Sequence, residues 1–114
     1  MAFQIQFKVW VEKDGEVVLS SAREQLLKEI EKEGSINKAA KKLGISYKKA
    51  WLLIKNMEDR LGFPILEKKR GGKEGGGSKL TAEGKKLLEN YRNIIKSFTE
   101  TKNDLEKVIN QNGS

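Results

Sequence analysis

Between Ser46 and Lys55 the chain gathers a hydroxyl, a phenol, three ammonium groups and a branched apolar side chain: Ser46, Tyr47, Lys48, Lys49, Leu52 and Lys55. A lysine ammonium can donate to guanine O6 and N7 in a major groove, and a leucine can touch a thymine methyl. A second set follows in Lys68, Lys69, Arg70, Lys73 and Lys79, interleaved with the glycines of Gly71-Gly72-Lys73-Glu74-Gly75-Gly76-Gly77. Glycine lets a backbone approach a phosphate ribbon closely and the cations supply attraction, which suits backbone or minor-groove contact. Upstream, Ser35 stands where a hydroxyl and helix N-terminal amides could hold a phosphate. Each set also has a plainer reading. The first could be the solvated basic face of an ordinary helical pair, and the second a flexible linker, since Gly-Gly-Gly-Ser is linker composition. A nucleotide-binding phosphate loop does not fit: Gly77 is followed by Ser78 and then Lys79, the reverse of the required order.

The elements that must position these residues are legible from caps and periodicity. Ser35 and Ser46 can each cap a helix, and Gly44 suits the left-handed position that ends the first. Two capped helices joined by the short turn Gly44-Ile45-Ser46 describe a helix-turn-helix over residues 35–61. Ala39, Ala40 and Leu43 give the first helix a narrow apolar face. Ala50, Ile54, Met57 and Leu61 recur at four, three and four in the second, with Lys48, Leu52, Lys55 and Asp59 opposite. Trp51 is assigned to the core, and Tyr47 either faces the groove or packs on the first helix. Gly62 and Pro64 end the second helix, and a glycine-rich hairpin, a wing, follows over residues 64–80.

Composition excludes several chemistries. The 114 residues contain no cysteine and no histidine, so there is no disulfide framework, no thiolate metal site and no imidazole base. No convergent carboxylate pair can be placed, no metal or cofactor is expected, and an enzyme is the least favoured class. No apolar run approaches the roughly 18 residues of a membrane span and no signal-peptide pattern is present, so a cytoplasmic, nucleoid-associated protein is expected. Residues 35–79 hold twelve basic and four acidic side chains, a net of +8, whereas the whole chain carries +7. The excess sits wholly in the helix-turn-helix and wing, which favours a polyanion through counterion release.

Outside that segment, Phe3, Ile5, Phe7, Val9 and Val11 alternate with Gln4, Gln6, Lys8 and Trp10, the pattern of a half-buried strand. With the Asp14-Gly15 turn and Val17-Val18-Leu19 it predicts a hairpin over residues 3–19. Trp10 is read as a packing residue. A helix with Ala22, Leu26, Leu27 and Ile30 inward follows to Glu33. Thr81 can cap a last helix, from Ala82 to about Asn110, ahead of a frayed tail. Its apolar residues Leu87, Tyr91, Ile94, Phe98, Leu105 and Val108 fall at heptad-like spacing with Thr101, a seam for a second helix. The expected architecture is mainly α (α+β): a winged helix-turn-helix domain over residues 1–80 and a dimerisation helix over 81–110.

The sequence resembles the N-terminal DNA-binding domain of the ModE-type molybdate-responsive regulators. The resemblance rests on Gly34-Ser35-Ile36, Ala39-Ala40, Gly44-Ile45-Ser46-Tyr47-Lys48-Lys49-Ala50-Trp51, Met57, the Gly71–Gly77 loop, and Leu80-Thr81 with Gly84. Glu58, Leu61-Gly62 and Leu80-Thr81-Ala82-Glu83-Gly84 give a broader likeness to LysR-type regulators. Together they cover about residues 18–95. The resemblance implies a winged helix-turn-helix and a homodimer on double-stranded DNA at an inverted-repeat operator. Full-length members add molybdate-binding domains that the present sequence does not contain, and no small-molecule site is evident in it. Glu74 departs from the family loop and is expected to tilt away from DNA. Two rivals remain: an architectural chromatin protein of low specificity, and a module whose long helix pairs with a different protein.

Overall fold

The computed structural model describes residues 2–69 and 77–113. Two short strands, β1 (Val11–Lys13) and β2 (Glu16–Leu19), form an antiparallel hairpin. Asp14 and Gly15 both take positive φ, 52° and 80°, as a tight hairpin turn requires. Three helices follow: α1 (Ser21–Glu33), α2 (Ile36–Leu43) and α3 (Tyr47–Leu61). A second antiparallel pair, β3 (Leu66–Lys68) and β4 (Ser78–Leu80), is the wing root, and α4 (Ala82–Gly113) closes the chain.

The helix ends are set by serines and glycines, with Ser35, Gly44, Ser46 and Gly62 in the expected places and Ser20 and Gly34 bounding α1. The side chains of Ser20, Ser35 and Ser46 accept from the backbone N–H groups of Arg23, Lys38 and Lys49, satisfying donors that the first helical turn leaves open. The stops at Gly34, Gly44 and Gly62 are left-handed. Thr81 caps α4: its Oγ1 accepts from Gly84 N–H at 3.0 Å and donates to the Pro64 carbonyl at 2.9 Å.

The core joins α1, α2, α3, the wing root and the start of α4 through Leu26, Leu27, Ile30, Ala39, Ala40, Ala50, Ile54, Met57, Ile65, Leu80 and Leu88. The hairpin is held on the end of α3 by Arg60. That side chain meets Glu16 at 2.9 Å and donates to the Val17 carbonyl at 2.6 Å.

Three expectations need correction. Residues 3–10 belong to no sheet; the hairpin strand begins at Val11, and the preceding segment lies along α4. Phe3 N–H donates to Asn110, Ile5 N–H to Glu106, and the Tyr91 hydroxyl to the Val9 carbonyl. Tyr91 is therefore 2% exposed inside its own chain and is not free to join an intermolecular seam. Finally, α4 runs through Gly113 rather than fraying at Asn110. Its 32 residues span about 48 Å at ~1.5 Å per residue. The molecule is accordingly elongated, 60 Å in its longest dimension.

Candidate nucleic-acid interface

The first turn of α3 projects from the body. Tyr47, Trp51 and Leu52 are 52%, 44% and 42% exposed, and Lys48, Lys49 and Lys55 are exposed with them. On a helix, positions 47 and 51 form one ridge and 48, 52 and 55 the next. The buried stripe Ala50, Ile54 and Met57 runs on the other side. Trp51 is a correction: it does not enter the core. The α2–α3 crossing is built from Ala39, Ala40 and Ala50, each at most 1% exposed. Backbones that close leave no volume for an indole, so the ring stays beside the stripe and faces outward.

The wing root is fastened to this helix at one end and to the α1–α2 junction at the other. Glu58, on α3, accepts from Ile65 N–H at 2.9 Å and Leu66 N–H at 3.3 Å through one carboxylate oxygen. Across the hairpin, Lys69 N–H donates to the Gly77 carbonyl at 2.9 Å, and Ser78 N–H donates to the Gly34 carbonyl at 2.8 Å. A Cβ at Gly77 would stand 2.2 Å from the Gly34 oxygen, so this junction demands glycine. Gly34 immediately precedes Ser35, the α2 cap. One backbone bond thus joins the wing to the start of the helix-turn-helix.

These contacts bring Ser35, Tyr47 and Lys68 to the rim of one depression of about 350 Å³, with Asn37, Gly77 and Ser78. A second, of about 310 Å³, adjoins it between Trp51, Lys55, Glu67 and Lys68. Ser35 and Ser46 each spend one oxygen lone pair on capping, at 2.9 Å and 3.0 Å, and each keeps its hydroxyl hydrogen for an outside acceptor. Lys55 pairs with Asp59 at 3.7 Å and Lys79 with Glu67 at 3.5 Å, with all four side chains more than half exposed. Such pairs are worth little and yield readily to a phosphate. Lys69 is exposed at the wing root. Arg70, Lys73 and Glu74 lie outside the described residues.

Two participants carry no strong mark in the sequence. Asn37 reaches the first depression from the first turn of α2. Glu58, a point of likeness to the LysR-type regulators, proves to orient the wing. A carboxylate a few residues before a helix-ending glycine is a weak signal, and only the tertiary contact shows its use. On α4, the expected seam divides. Leu87 and Ile94 are half-buried, whereas Phe98, Leu105 and Val108 are each 51% exposed. Phe98 already meets Phe7, with ring centroids 5.9 Å apart.

No helix among the described residues is long and apolar enough to cross a membrane. Among the same residues, no group of three or more carboxylates could hold a metal ion.

Comparison with known proteins agrees with this geometry. Residues 23–85 match the bacterial regulatory helix-turn-helix proteins of the lysR family. The chain is 38% identical over 93 residues to the molybdenum transport protein ModE of Azotobacter vinelandii, covering 82% of this chain and 34% of that protein. It is 48% identical over 69 residues to the transcriptional regulator ModE of Haemophilus influenzae, covering 60% of this chain and 27% of that one. The chain therefore spans about a third of the length of these curated relatives. Among solved structures, the DNA-binding domain of CbnR in complex with DNA superposes with a TM-score of 0.58 at 24% identity, over 76% of this chain and 94% of that one. The BenM DNA-binding domain on catB site 1 DNA gives 0.53 at 28% identity, over 77% and 91%. The sequence match runs from α1 through the capped helix pair and the wing to the start of α4, and the chain belongs to the lysR family of bacterial regulatory helix-turn-helix proteins.

Proposed function

We propose that this chain is the DNA-binding unit of a transcriptional regulator of ModE type, acting as a homodimer on an inverted-repeat operator. The observation that carries the reading is the shared face of α3 and the wing root. Exposed Tyr47, Lys48, Lys49, Trp51, Leu52 and Lys55 lie beside Lys68, in the segment holding all of the chain's net positive charge. In this reading α3 enters the major groove, where the lysines take guanine acceptors and Leu52 a thymine methyl. Ser35, with the first amides of α2, holds a phosphate at the rim, and Lys68, Lys69, Arg70, Lys73 and Lys79 set the wing on the backbone or minor groove. The exposed outer part of α4, with Phe98, Leu105 and Val108, supplies the second-copy contact, and Leu87 and Ile94 flank its base. The names of relatives as transcriptional regulators support the assignment to gene control, and a protein with that task works in the cytoplasm, at the nucleoid.

Selection of bound duplexes from a random pool tests the reading. A recovered inverted repeat, bound about 10³-fold or more over random duplex, is the expected outcome. Equal affinity for all sequences would instead identify an architectural protein using the same basic face.

A further inference from the structure

Residues 3–9 form an extended arm on α4 whose outer edge has no partner among the described residues. Phe3 N–H and Ile5 N–H donate to Asn110 Oδ1 at 2.8 Å and Glu106 Oε2 at 2.6 Å. Two residues of arm thus match one turn of helix, about 6 Å in each case, which is the rise of an extended chain. The Val9 carbonyl accepts from the Tyr91 hydroxyl at 2.7 Å, again from an odd-numbered residue. In an extended chain the N–H and C=O of one residue share an edge, and those of the next residue point to the opposite edge. The helix therefore occupies the odd edge. The backbone groups of Gln4, Gln6 and Lys8 face away, and among the described residues no backbone bond reaches them. Such an edge is a template for another strand. Nothing blunts it: residues 3–9 contain no proline and a single charge, at Lys8.

We infer that this edge pairs with itself: in the homodimer proposed above, on which this inference rests, residues 3–9 of two copies run antiparallel about a two-fold axis at Gln6. The register follows from charge and length. Centring on Gln6 sets Gln6 against Gln6 and Gln4 against Lys8 of the second copy, so all three outward-facing residues exchange hydrogen bonds. Centring on Lys8 would oppose two like charges, which destabilises a cross-strand pair. Centring on Gln4 would leave Lys8 unpaired. The Gln6 register also sets Phe3 against Val9 and Ile5 against Phe7, a continuous apolar face over residues of which Phe3 is now 54% and Phe7 37% exposed. That face continues onto the exposed Phe98 and Leu105 of α4, so ribbon and helices form one interface.

The absence of cysteine makes the test direct. In the full chain, Gln6→Cys should cross-link to itself under mild oxidation, because it lies on the axis. Gln4→Cys and Lys8→Cys should each fail alone, their own copies being about 14 Å apart, and should cross-link when mixed. Gln6→Pro removes the central N–H, which α4 does not use, and should weaken dimerisation at least about tenfold. Sedimentation of the unmodified chain separates the homodimer from its seam. A monomer at tens of micromolar overturns both together. A dimer in which Gln6→Cys does not cross-link, or in which Gln6→Pro leaves association unchanged, overturns the seam alone.

Discussion

Lys48 and Lys49 sit off the buried stripe of α3, so their removal should leave the fold intact. Changing both to alanine is expected to lower operator affinity by about 1–3 kcal/mol for each base that is no longer read, measured by titration of a selected duplex. A change within about twofold would take α3 out of the groove. Trp51 is the sharper case. At 44% exposure between Lys55 and Lys68 it is available to sugar edges or thymine methyls, and Trp51→Ala should cost affinity with little loss of thermal stability. A large fall in melting temperature would return it to a packing role. The sequence marked Ala50, Ile54 and Met57 as inward because they recur at helical spacing. It did not mark Trp51 as outward, since periodicity locates the centre of a stripe and not its width. The width was set by Ala39 and Ala40 across the crossing, a property of two helices rather than one.

At the scale of elements, the wing and the arm differ in how much could be read. The wing was announced by its glycines and cations, and its root forms where the flanking β residues fall. Replacing Lys68, Lys69 and Arg70 with glutamine should weaken binding to every sequence. The log–log salt slope should fall by about 0.9 for each phosphate that is no longer neutralised. An unchanged slope would leave these residues merely solvated. For the arm, strict alternation indicated a half-buried strand, whereas residues 3–10 join no sheet and of the apolar side only Ile5 and Val9 are partly covered. Alternation is silent about what covers it, and here side chains of a helix take the place of a neighbouring strand. The hold of that helix depends on pH. The backbone N–H of Ile5, followed by Lys102, keeps the Glu106 carboxyl below its ordinary value near 4.5. A depressed carboxyl pKa adds stability above the unfolded value, and that contribution disappears as pH falls through the lower folded one. Hydrogen-exchange protection at Ile5 should therefore decline below about pH 4.5, and Glu106→Gln should remove the acid-dependent step. Protection that is flat with pH would show that the carboxylate does not secure the arm.

At the scale of the whole molecule, the fold was largely legible because its helix ends are written in Ser-and-Gly pairs: Ser20 with Gly34, Ser35 with Gly44, Ser46 with Gly62. The division of α4 was not, since a heptad-like spacing cannot say which turns the chain keeps for itself. Tyr91 and Leu88 turned out to belong to the body, and the exposed residues lie further out. Removing residues from Ser97 onward should leave a folded winged helix that associates more weakly. A truncated chain still dimeric at micromolar concentration would place the interface in the N-terminal segment, residues 3–19, and not on the outer turns of α4. Oxyanions have few other places to go: the hydroxyls and amides suited to them, at Ser35, Ser46 and the wing root, line the face proposed for DNA. Micromolar molybdate is thus expected to change neither dimerisation nor operator affinity of this chain. A stoichiometric calorimetric heat with a matching shift in DNA affinity would contradict that. The bond across the wing root, from Lys69 N–H to the Gly77 carbonyl, has one more consequence. It closes the hairpin at its root, so the intervening loop begins and ends at fixed points whatever its length. Closing a loop costs only about 0.6 kcal/mol more for each doubling of its residues. Insertions or deletions at the tip are therefore nearly invisible to folding but lengthen or shorten the reach of the wing. Selection can vary that reach as a free dimension, with α3 and the hydrophobic core left as they are.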